Sequence, residues 1–515
     1  MRITFDEQHV LVCDGAMGTM IQNSGLDRSV CPELWNELRP DVIEHIHKAY
    51  VESGAEILET NTFGGSPLKL KEYGLEEKAY DLCKQGAEIA RRAAKDKALV
   101  AGSVGPTGAL FKPMGTTTFE QAYQSYLIQM QGLVDGGVDM ILIETMMEIT
   151  ELKAALLAAK QVAPDMVVVC QMTFTENGTT IMGTTPEIAA TVLTGLGAHY
   201  VGVNCSTGPE GLLDVVRKMG QTTELPLSVQ PNAGLPEMEG EETVYRESPE
   251  HMASFVARFV ESGAKIVGGC CGSTPAHIAA IAREAKNCKY SPRKMDETLL
   301  LCSRNRLVRL EGESIKVARL LQDEETKLAL EEKRVNDLHK ILRKQLKAGA
   351  QCISVELSEE GLDEEFLEAL MLGFSGPLSV PLLFSAKLGS KLEYLLRLAT
   401  GNSLIIDVQP QNLDTLMPLA KHYGAGLVVN LGEKDILTTW DSVTETAKQE
   451  GFRLSHLLAD LSVLLQEQAD TSVLTAWQGS ILMRLDAADD IAKERFLTLP
   501  RQPDLLLADY RLMEG

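Results

Sequence analysis

Eight short apolar segments, each followed by residues with helical periodicity, divide the first half of the chain into repeating units. Strands that alternate with helices pair in parallel, because a helix is the usual crossover between parallel strands. Eight such units in about 280 residues favour a closed (β/α)8 barrel over the alternative, an open doubly wound sheet. The segments are 10–18, 55–63, 98–108, 138–146, 166–174, 198–208, 225–234 and 264–275.

A change in composition near residue 288 indicates a second domain, as expected for a chain of 515 residues. We predict a first domain over 1–288, a linker and entry over 289–310, and a second α/β domain over 311–515. The second domain is predicted to be another barrel, complete or shortened. Residues 313–350 are highly charged and are predicted to be helical. The apolar segments that follow are 351–357, 381–387, 403–408, 426–431, 481–487 and 504–512.

The charge balance restricts the class of partner. A formal net charge of −23 disfavours nucleic acid and anionic membrane surfaces, since both would repel the chain. No segment reaches the roughly 18 apolar residues of a membrane span, and the first residues lack the pattern of a secretory signal. We therefore expect a cytoplasmic protein with no membrane partner. Ten cysteines in such a chain indicate free thiols or metal ligands before a disulfide framework.

Three of these cysteines follow predicted strands. Cys205 lies towards the end of the sixth apolar segment, and Cys270 and Cys271 lie towards the end of the eighth. The carboxyl ends of barrel strands share one face, which is where the active sites of such barrels are built. Three thiolates suit a tetrahedral Zn²⁺ ion that keeps its fourth position open for a substrate. Zinc-held sulfur stays nucleophilic, so the expected chemistry is S-alkylation of a thiol. The alternative is that these are structural cysteines, which behave as small buried apolar side chains.

Seven motifs, in this order, resemble the homocysteine S-methyltransferase family over about residues 8–290. Within it, the likeness is greatest to the N-terminal homocysteine-binding and pterin-binding modules of the cobalamin-dependent methionine synthase type. The resemblance implies a (β/α)8 TIM barrel that binds homocysteine and zinc. The motifs are DGAMGT (14–19), ETNTFGG (59–65), GSVGPTG (102–108), LIETM (142–146), GVNCSTGP (202–209), QPNAG (230–234) and GGCCGSTPAHI (268–278).

The resemblance also implies roles for individual residues. Cys205, Cys270 and Cys271 correspond to the zinc ligands, and Asn232 to a possible fourth ligand in the absence of substrate. Asp14 and Glu144 are expected to meet the homocysteine ammonium. A structural turn at Asp14 and a strand-end salt bridge at Glu144 are the alternatives. The substrate carboxylate is expected at the backbone amides of Gly15, Ala16, Met17, Gly18 and Thr19.

The second domain resembles the pterin-binding barrel of methionine synthase and dihydropteroate synthase, but in degenerate form. Ser314, Glu356 and Ser385 stand where that family has the arginine, aspartate and aspartate that hold the pterin. Asp407 and Asn430 remain as the polar strand ends. These departures favour a barrel that supports docking or dimerisation over one that binds methyltetrahydrofolate, and both readings stay open.

The functional hypothesis is a zinc-dependent methyltransferase that converts homocysteine to methionine. The sequence lacks a DxHxxG cobalamin-binding motif, so a corrinoid is expected only on a partner protein that carries the methyl group. One alternative keeps the zinc thiolate and takes methyl from S-methylmethionine, betaine or methyltetrahydrofolate-linked cobalamin. Another alternative is a non-catalytic scaffold of a methyl-transfer complex.

Overall fold

The computed structural model shows two compact units, Met1–Thr194 with Ala198–Met295, and Gly195–Gly197 with Asp296–Gly515. Among the described residues, none of the helices is both long enough and apolar enough to cross a lipid bilayer. The residues that the structure describes are 6–27, 29–239, 242–295, 298–311, 313–320, 324–357, 362–376, 378–433, 435–485 and 489–508.

The first unit contains eight parallel strands and one antiparallel hairpin, β8–β9. The strands are β1 Leu11–Val12, β2 Ile57–Glu59, β3 Leu99–Val104, β4 Met140–Met146, β5 Val167–Met172, β6 Tyr200–Cys205, β7 Leu227–Pro231, β8 Glu237–Glu239, β9 Glu242–Val244 and β10 Ala264–Val267. The helices are α1 Met17–Asn23, α2 Trp35–Leu38, α3 Pro40–Glu52, α4 Pro67–Leu70, α5 Ala79–Ala94, α6 Phe119–Asp135, α7 Ile149–Val162, α8 Pro186–Gly195, α9 Pro209–Gly220, α10 Pro249–Ala253, α11 Val256–Glu261 and α12 Pro275–Ala285.

The parallel strands follow the order β1-β10-β7-β6-β5-β4-β3-β2, and a parallel bridge between Cys13 and Ile57 joins the two outer strands. This ring confirms the predicted (β/α)8 barrel and excludes the open sheet. Inward-facing apolar side chains fill the ring, so it is a packed core and not a pore. They are Leu11, Cys13, Ile57, Ala101, Met140, Leu142, Val169 and Ile266.

The second unit is a closed barrel of eight parallel strands, β13 to β20, with the antiparallel hairpin β11–β12. The strands are β11 Leu300–Cys302, β12 Leu307–Arg309, β13 Ile315–Arg319, β14 Cys352–Val355, β15 Leu382–Ser385, β16 Leu404–Val408, β17 Gly426–Asn430, β18 Leu457–Asp460, β19 Ser480–Leu485 and β20 Leu505–Ala508. The helices are α13 Glu324–Glu331, α14 Val335–Lys347, α15 Glu364–Phe374, α16 Lys391–Leu398, α17 Leu413–Tyr423, α18 Ile436–Gln449, α19 Val473–Ala476 and α20 Asp490–Leu497.

The helical prediction for 313–350 is wrong over Ile315–Arg319, which forms β13. Val317 pairs with Cys352 of β14 on one side and with Leu507 of β20 on the other. This segment is therefore the strand that closes the ring. Its pairing with distant strands outweighs the helical preference of the charged residues that follow it. β18 was also absent from the predicted apolar segments.

The hairpin β11–β12 lies within the segment predicted to be a linker. Leu301 and Val308 from this hairpin belong to the same buried cluster as Val317 and Leu505 inside the second barrel. The hairpin therefore contributes apolar surface to the core of the second barrel, which a solvated linker would not do.

We predict that Gly202→Ala destabilises the first barrel severely. Gly202 of β6 pairs directly with Ser228 of β7, and a Cβ atom there would lie 1.9 Å from the Ser228 carbonyl oxygen. Backbone atoms of two paired strands cannot move apart locally, so we expect a loss of about 3 kcal/mol or more in the free energy of unfolding. Urea denaturation measures it. Gly376→Ala is the control, because its Cβ would meet other atoms only at 3.9 Å; equal stability of both variants would contradict the packing argument.

Candidate metal and substrate site

Three cysteine sulfurs meet at the carboxyl ends of the strands of the first barrel. Cys205 is the last residue of β6, and Cys270 and Cys271 follow β10, with β7 lying between these two strands. Their Sγ atoms all lie within 4.8 Å of one another, and those of Cys205 and Cys271 are 3.6 Å apart. All three residues are partly exposed, so the group opens to solvent.

Backbone hydrogen bonds clamp the cysteine pair to the loop after β7. The Cys270 amide donates to the carbonyl of Pro231 at 2.8 Å, and the Ala233 amide donates to the carbonyl of Cys271 at 2.9 Å. The Cys271 amide donates to Oδ1 of Asn232 at 3.1 Å. The amide oxygen of Asn232, predicted as a possible zinc ligand, is thus engaged in positioning the Cys271 backbone.

Cys205 is held in an uncommon backbone conformation. Its φ angle is 59° and that of Ser206 is 65°, so two consecutive non-glycine residues adopt left-handed geometry. Such residues persist only where the surroundings hold them, and they concentrate at functional sites. Here the Ser206 hydroxyl accepts a hydrogen bond from the Phe174 amide at 2.8 Å, which connects this turn to the loop after β5.

Hydrogen bonds among the three sulfurs lower the pKa of one thiol and raise the pKa of another. Donation from Cys205, and then from Cys270, lowers the pKa of the Cys271 thiol to about 3. The hydrogen bond with Cys205 contributes most to raising the pKa of Cys270 well above its usual value. Two neutral donors supplement this group, because the Asn204 side-chain amide lies 3.7 Å from the Cys270 sulfur and the Tyr245 hydroxyl donates to Cys271. Tyr245 follows the hairpin β8–β9 without a recognisable motif, so the sequence alone does not predict this contact.

Three carboxyl groups lie at or near the carboxyl ends of β1, β2 and β4 in the same barrel. Two of them, Asp14 and Glu144, are predicted substrate residues and are buried. The third is Glu59 at the end of β2, which is not among the predicted substrate residues. Burial raises the pKa of each of them, and the charge of a neighbouring carboxylate raises it further. For Glu59 the result is a pKa of about 8.

The hydrogen-bond partners of these carboxyl groups are neutral. Glu144 accepts from the Ser103 hydroxyl at 2.6 Å and from the Asn204 amide at 3.0 Å. Glu59 accepts from the Gln230 amide at 2.5 Å, and its own backbone amide donates to Asp14 at 3.1 Å. Carboxyl groups placed together with neutral donors form a site suited to a cationic group, because a positive charge would relieve their mutual repulsion.

The predicted turn over residues 15–19 lies against the cysteine loop. The Ala16 amide donates to the Ser273 hydroxyl at 3.1 Å, and the Gly272 amide donates to the Thr19 hydroxyl at 3.2 Å. Gly15 has no room for a side chain, since a Cβ would lie 2.7 Å from the Ser273 hydroxyl oxygen. Met17 and Gly18 open α1 in the same turn. The structure thus brings all the predicted first-barrel residues to one end of the ring.

An ion-pair network occupies the equivalent end of the second barrel. Arg484 of β19 bonds to three carboxylates, Glu356 at 2.8 Å, Asp407 at 2.9 Å and Asp460 at 3.1 Å. Arg319 of β13 binds Glu356 through both Nε at 3.0 Å and a terminal nitrogen at 3.2 Å. Asp407, predicted as a polar strand end, is therefore already paired with a cation. Asn430, the other predicted strand end, accepts a hydrogen bond from the Gly432 amide at 2.9 Å, so its side chain stabilises the turn that follows it.

The fold and the sulfur group together define a (β/α)8 barrel with a candidate thiolate metal site at its mouth. Comparisons with known proteins identify the family. The sequence profile of the homocysteine S-methyltransferase family matches residues 11–285, which is more than half of the chain. The chain belongs to this family.

Two curated relatives are methionine synthases. The protein from Mycobacterium tuberculosis is 37% identical over 305 residues, covering 56% of this chain and 26% of the relative. The protein from Mycobacterium leprae is 37% identical over 298 residues, covering 55% of this chain and 25% of the relative. The chain therefore matches about a quarter of the length of these relatives.

The chain is also similar to proteins of known structure. The metallated form of the homocysteine methyltransferase MmuM from Escherichia coli is 25% identical, with a TM-score of 0.46, and the match covers 54% of this chain and 97% of that one. The 7,8-dihydropteroate synthase from Vibrio fischeri is 12% identical, with a TM-score of 0.33, and the match covers 42% of this chain and 94% of that one.

We predict that Glu59→Gln makes the protein more stable than the wild type at pH 8, with a smaller difference at pH 5. The folded-state pKa of about 8 lies above the usual value of 4.5, so the folded state favours protonated Glu59. The stability that protonated Glu59 contributes is lost as pH rises from about 4.5 towards 8. Glutamine imitates the protonated form, so the variant should gain about 1 kcal/mol or more at pH 8.

Thermal unfolding of both proteins across this pH range measures the Glu59 effect. Glu56→Gln is the control, because Glu56 contacts His9 and lies outside the three-carboxyl group. A Glu59→Gln advantage that does not grow with pH would contradict the interpretation.

We predict that Arg484→Met strongly destabilises the second barrel. The substitution leaves Glu356, Asp407 and Asp460 without their shared cation, and removing one partner of a buried ion pair costs about 3–5 kcal/mol. Chemical denaturation, followed by the fluorescence of the tryptophans of this unit, measures it. Lys387→Met is the matched control: Lys387 is an exposed residue 3.7 Å from Asp407, so its loss should cost less than about 1 kcal/mol. Similar losses for both variants would contradict a central role for Arg484.

Proposed function

We propose that the first unit is a zinc-dependent methyltransferase that activates the thiol of homocysteine and converts it to methionine. The observation that carries the proposal is the convergence of Cys205, Cys270 and Cys271 at the mouth of the barrel. The family membership supports homocysteine as the substrate.

The three sulfurs fit a zinc ion in spacing and chemistry. With Zn–S bonds of about 2.3 Å, tetrahedral geometry places two sulfur ligands about 3.8 Å apart. The observed separation of 3.6 Å between Cys205 and Cys271 is close to this value. When bound by three thiolates, zinc would keep a fourth position for the substrate sulfur and hold that sulfur as a thiolate at neutral pH.

The chain's own residues would orient the substrate. The carboxyl groups of Asp14 and Glu144, with Glu59 beside them, are proposed to receive its ammonium group, because a cation offsets their repulsion. The turn over residues 15–19, beside the cysteine loop, is the proposed site of its carboxylate. Asn232 is proposed to act mainly by holding the Cys271 backbone, with ligation of the metal left as its alternative role. Asn204 and Tyr245 would stabilise negative charge on sulfur by donating hydrogen bonds.

In the proposed reaction the substrate sulfur gives up its proton and forms a new bond to the methyl carbon. The bond between methyl and donor breaks with its electron pair left on the donor. The proposed donor is a methyl-corrinoid protein acting in trans. S-Methylmethionine, betaine and methyltetrahydrofolate-linked cobalamin are the alternative donors, and a non-catalytic scaffold is the alternative function.

We propose that the second barrel supports docking or dimerisation and does not bind a pterin in its mouth. Arg484 and Arg319 form ion pairs with the acidic side chains at the strand ends, so these groups already have partners within the barrel. A pterin would have to break several of these bonds, each between charged groups in a partly buried setting, to reach Asp407.

The experiment compares zinc content and methionine formation in the wild type, Cys271→Ala and Cys288→Ala. We expect about one zinc per wild-type chain by elemental analysis, and methionine formed from homocysteine and methylcobalamin. Cys271→Ala should lose most of the zinc and lower the activity at least about a hundredfold, because two thiolates hold zinc poorly. Cys288→Ala should keep both, since the Cys288 sulfur donates a hydrogen bond to the Glu284 carbonyl and is not a member of the three-cysteine group.

Metal-free protein that still forms methionine would contradict the zinc mechanism. Zinc binding without turnover from any of the named donors would favour the scaffold. Turnover with S-methylmethionine or betaine in the absence of a corrinoid would identify the alternative donor.

A further inference from the structure

A cavity lies at the amino ends of strands of the second barrel, at the other end of β19 from the ion pairs of Arg484. Its volume is about 430 Å³, which is typical of a small-molecule site. β18 and β19 begin at its wall with Leu457 and Ser480, and the segments that flank the hairpin β11–β12 reach it through Leu299 and Leu310. All of its described lining residues belong to the second unit.

Two tryptophan side chains pack together at this cavity. The ring of Trp440, on α18, lies 5.1 Å from the ring of Trp477, which follows α19, and the angle between the two ring planes is 39°. Trp440 lines the cavity and is half-buried, whereas Trp477 is only 6% exposed. A partly exposed indole offers a flat, electron-rich face on which a planar ring can stack.

The Trp477 indole carries an unused hydrogen-bond donor. Its Nε1 atom is buried and has no hydrogen-bond partner among the residues that the structure describes. The backbone of Trp477 is satisfied by contrast, since its amide donates to the Leu474 carbonyl at 3.4 Å and its carbonyl accepts from the Arg501 guanidinium at 2.6 Å. A buried N–H group without a partner costs free energy, which a bound acceptor would recover.

Gly479 keeps the space beside this donor open. It lines the cavity between Gln478 and Ser480, and a Cβ atom there would lie 3.1 Å from Trp477 Nε1 and 3.2 Å from Trp440 Cζ2. Both indole rings therefore converge on the volume that the absent side chain of Gly479 leaves free. A ligand that enters this volume can accept a hydrogen bond from Nε1 and stack on Trp440.

The polar groups of the cavity restrict the ligand further. Glu311 is the one charged side chain among its described lining residues, so a phosphate-bearing ligand would meet a carboxylate and no cation there. The Glu311 carboxylate can accept from an amino group, and the hydroxyl groups of Thr298, Thr444 and Ser455 can bond to hydroxyl groups of a ligand. The cavity therefore fits an uncharged, planar base that carries a ring acceptor, an amino group and a hydroxylated substituent.

We propose that this cavity is a binding site for a neutral purine nucleoside of the adenosine type. Adenine carries both ring-nitrogen acceptors and an exocyclic amine donor. Its ring would stack on Trp440, a ring nitrogen would accept from Trp477 Nε1, and the amine would donate to Glu311. The ribose hydroxyls would bond to the threonine and serine hydroxyls. The inference is independent of the proposed methyl transfer, because it uses residues of the second unit alone.

The test is calorimetric titration of the full chain with adenosine, inosine and adenosine monophosphate. Inosine has a carbonyl oxygen in place of the exocyclic amine, so it lacks the donor for Glu311 and keeps the stacking surface. The variants are Trp440→Leu, Trp477→Phe and Glu311→Ala. Glu313→Ala is the matched control, because Glu313 is an exposed glutamate that lies outside the described lining of the cavity. Thermal unfolding checks that each variant is folded.

We expect the wild type to bind adenosine at least about tenfold more tightly than inosine or adenosine monophosphate, because each of these leaves Glu311 facing an acceptor or a like charge. Trp440→Leu should raise the Kd for adenosine at least about tenfold through lost stacking. Trp477→Phe, which keeps a ring but removes Nε1, should raise it at least about fivefold. Glu311→Ala should weaken adenosine but not inosine, and Glu313→Ala should match the wild type with all three ligands.

Two results would overturn the nucleoside proposal outright. They are wild-type protein that does not bind adenosine at millimolar concentration, and folded Trp440 and Glu311 variants that bind it as tightly as the wild type. Equal affinity of the wild type for adenosine and inosine would contradict the assigned contact with Glu311. Tighter binding of adenosine monophosphate than of adenosine would contradict a neutral ligand.

Discussion

The candidate site depends on the hydrogen-bonded clamp between the cysteine pair and the loop after β7. The amide of Cys270 bonds to the end of β7, and the carbonyl of Cys271 bonds to the loop that follows. The Asn232 side chain of this loop accepts a hydrogen bond from the Cys271 amide. β7 lies between β10 and β6, so the clamp brings the pair towards Cys205. The strained turn at Cys205 completes the approach from the other side. Three sulfurs within 4.8 Å result from strand order and loop hydrogen bonds acting together.

The two barrels treat charge at their strand ends in opposite ways. In the first, Asp14, Glu59 and Glu144 share neutral partners, and their raised pKa values reflect burial and mutual repulsion. Such a group is poised for a ligand that brings positive charge. In the second, Arg484 joins three carboxylates in one network and leaves their charge compensated internally. The same barrel architecture thus forms an open site in one unit and, in the other, a site whose charged groups are paired with each other. Function therefore depends on the residues of the site and not on the fold.

This contrast assigns a different role in the proposed function to each barrel. The first barrel would hold the thiol substrate and activate it. The second barrel would support docking or dimerisation. The chain matches about a quarter of the length of the methionine synthases.

Local sequence pattern was enough to predict the first barrel and its three candidate ligands. Eight apolar segments of strand length alternate with helices, Cys205 is the last residue of β6, and Cys270 and Cys271 lie in the loop after β10. Features that depend on pairing between distant residues could not be predicted in this way. β13 became a strand because β14 and β20 need a partner, Tyr245 reached Cys271 from a hairpin without a motif, and Asp407 met Arg484 from a strand 77 residues further along. Local sequence carries strand and helix period, but it does not encode which remote side chain will share a barrel mouth.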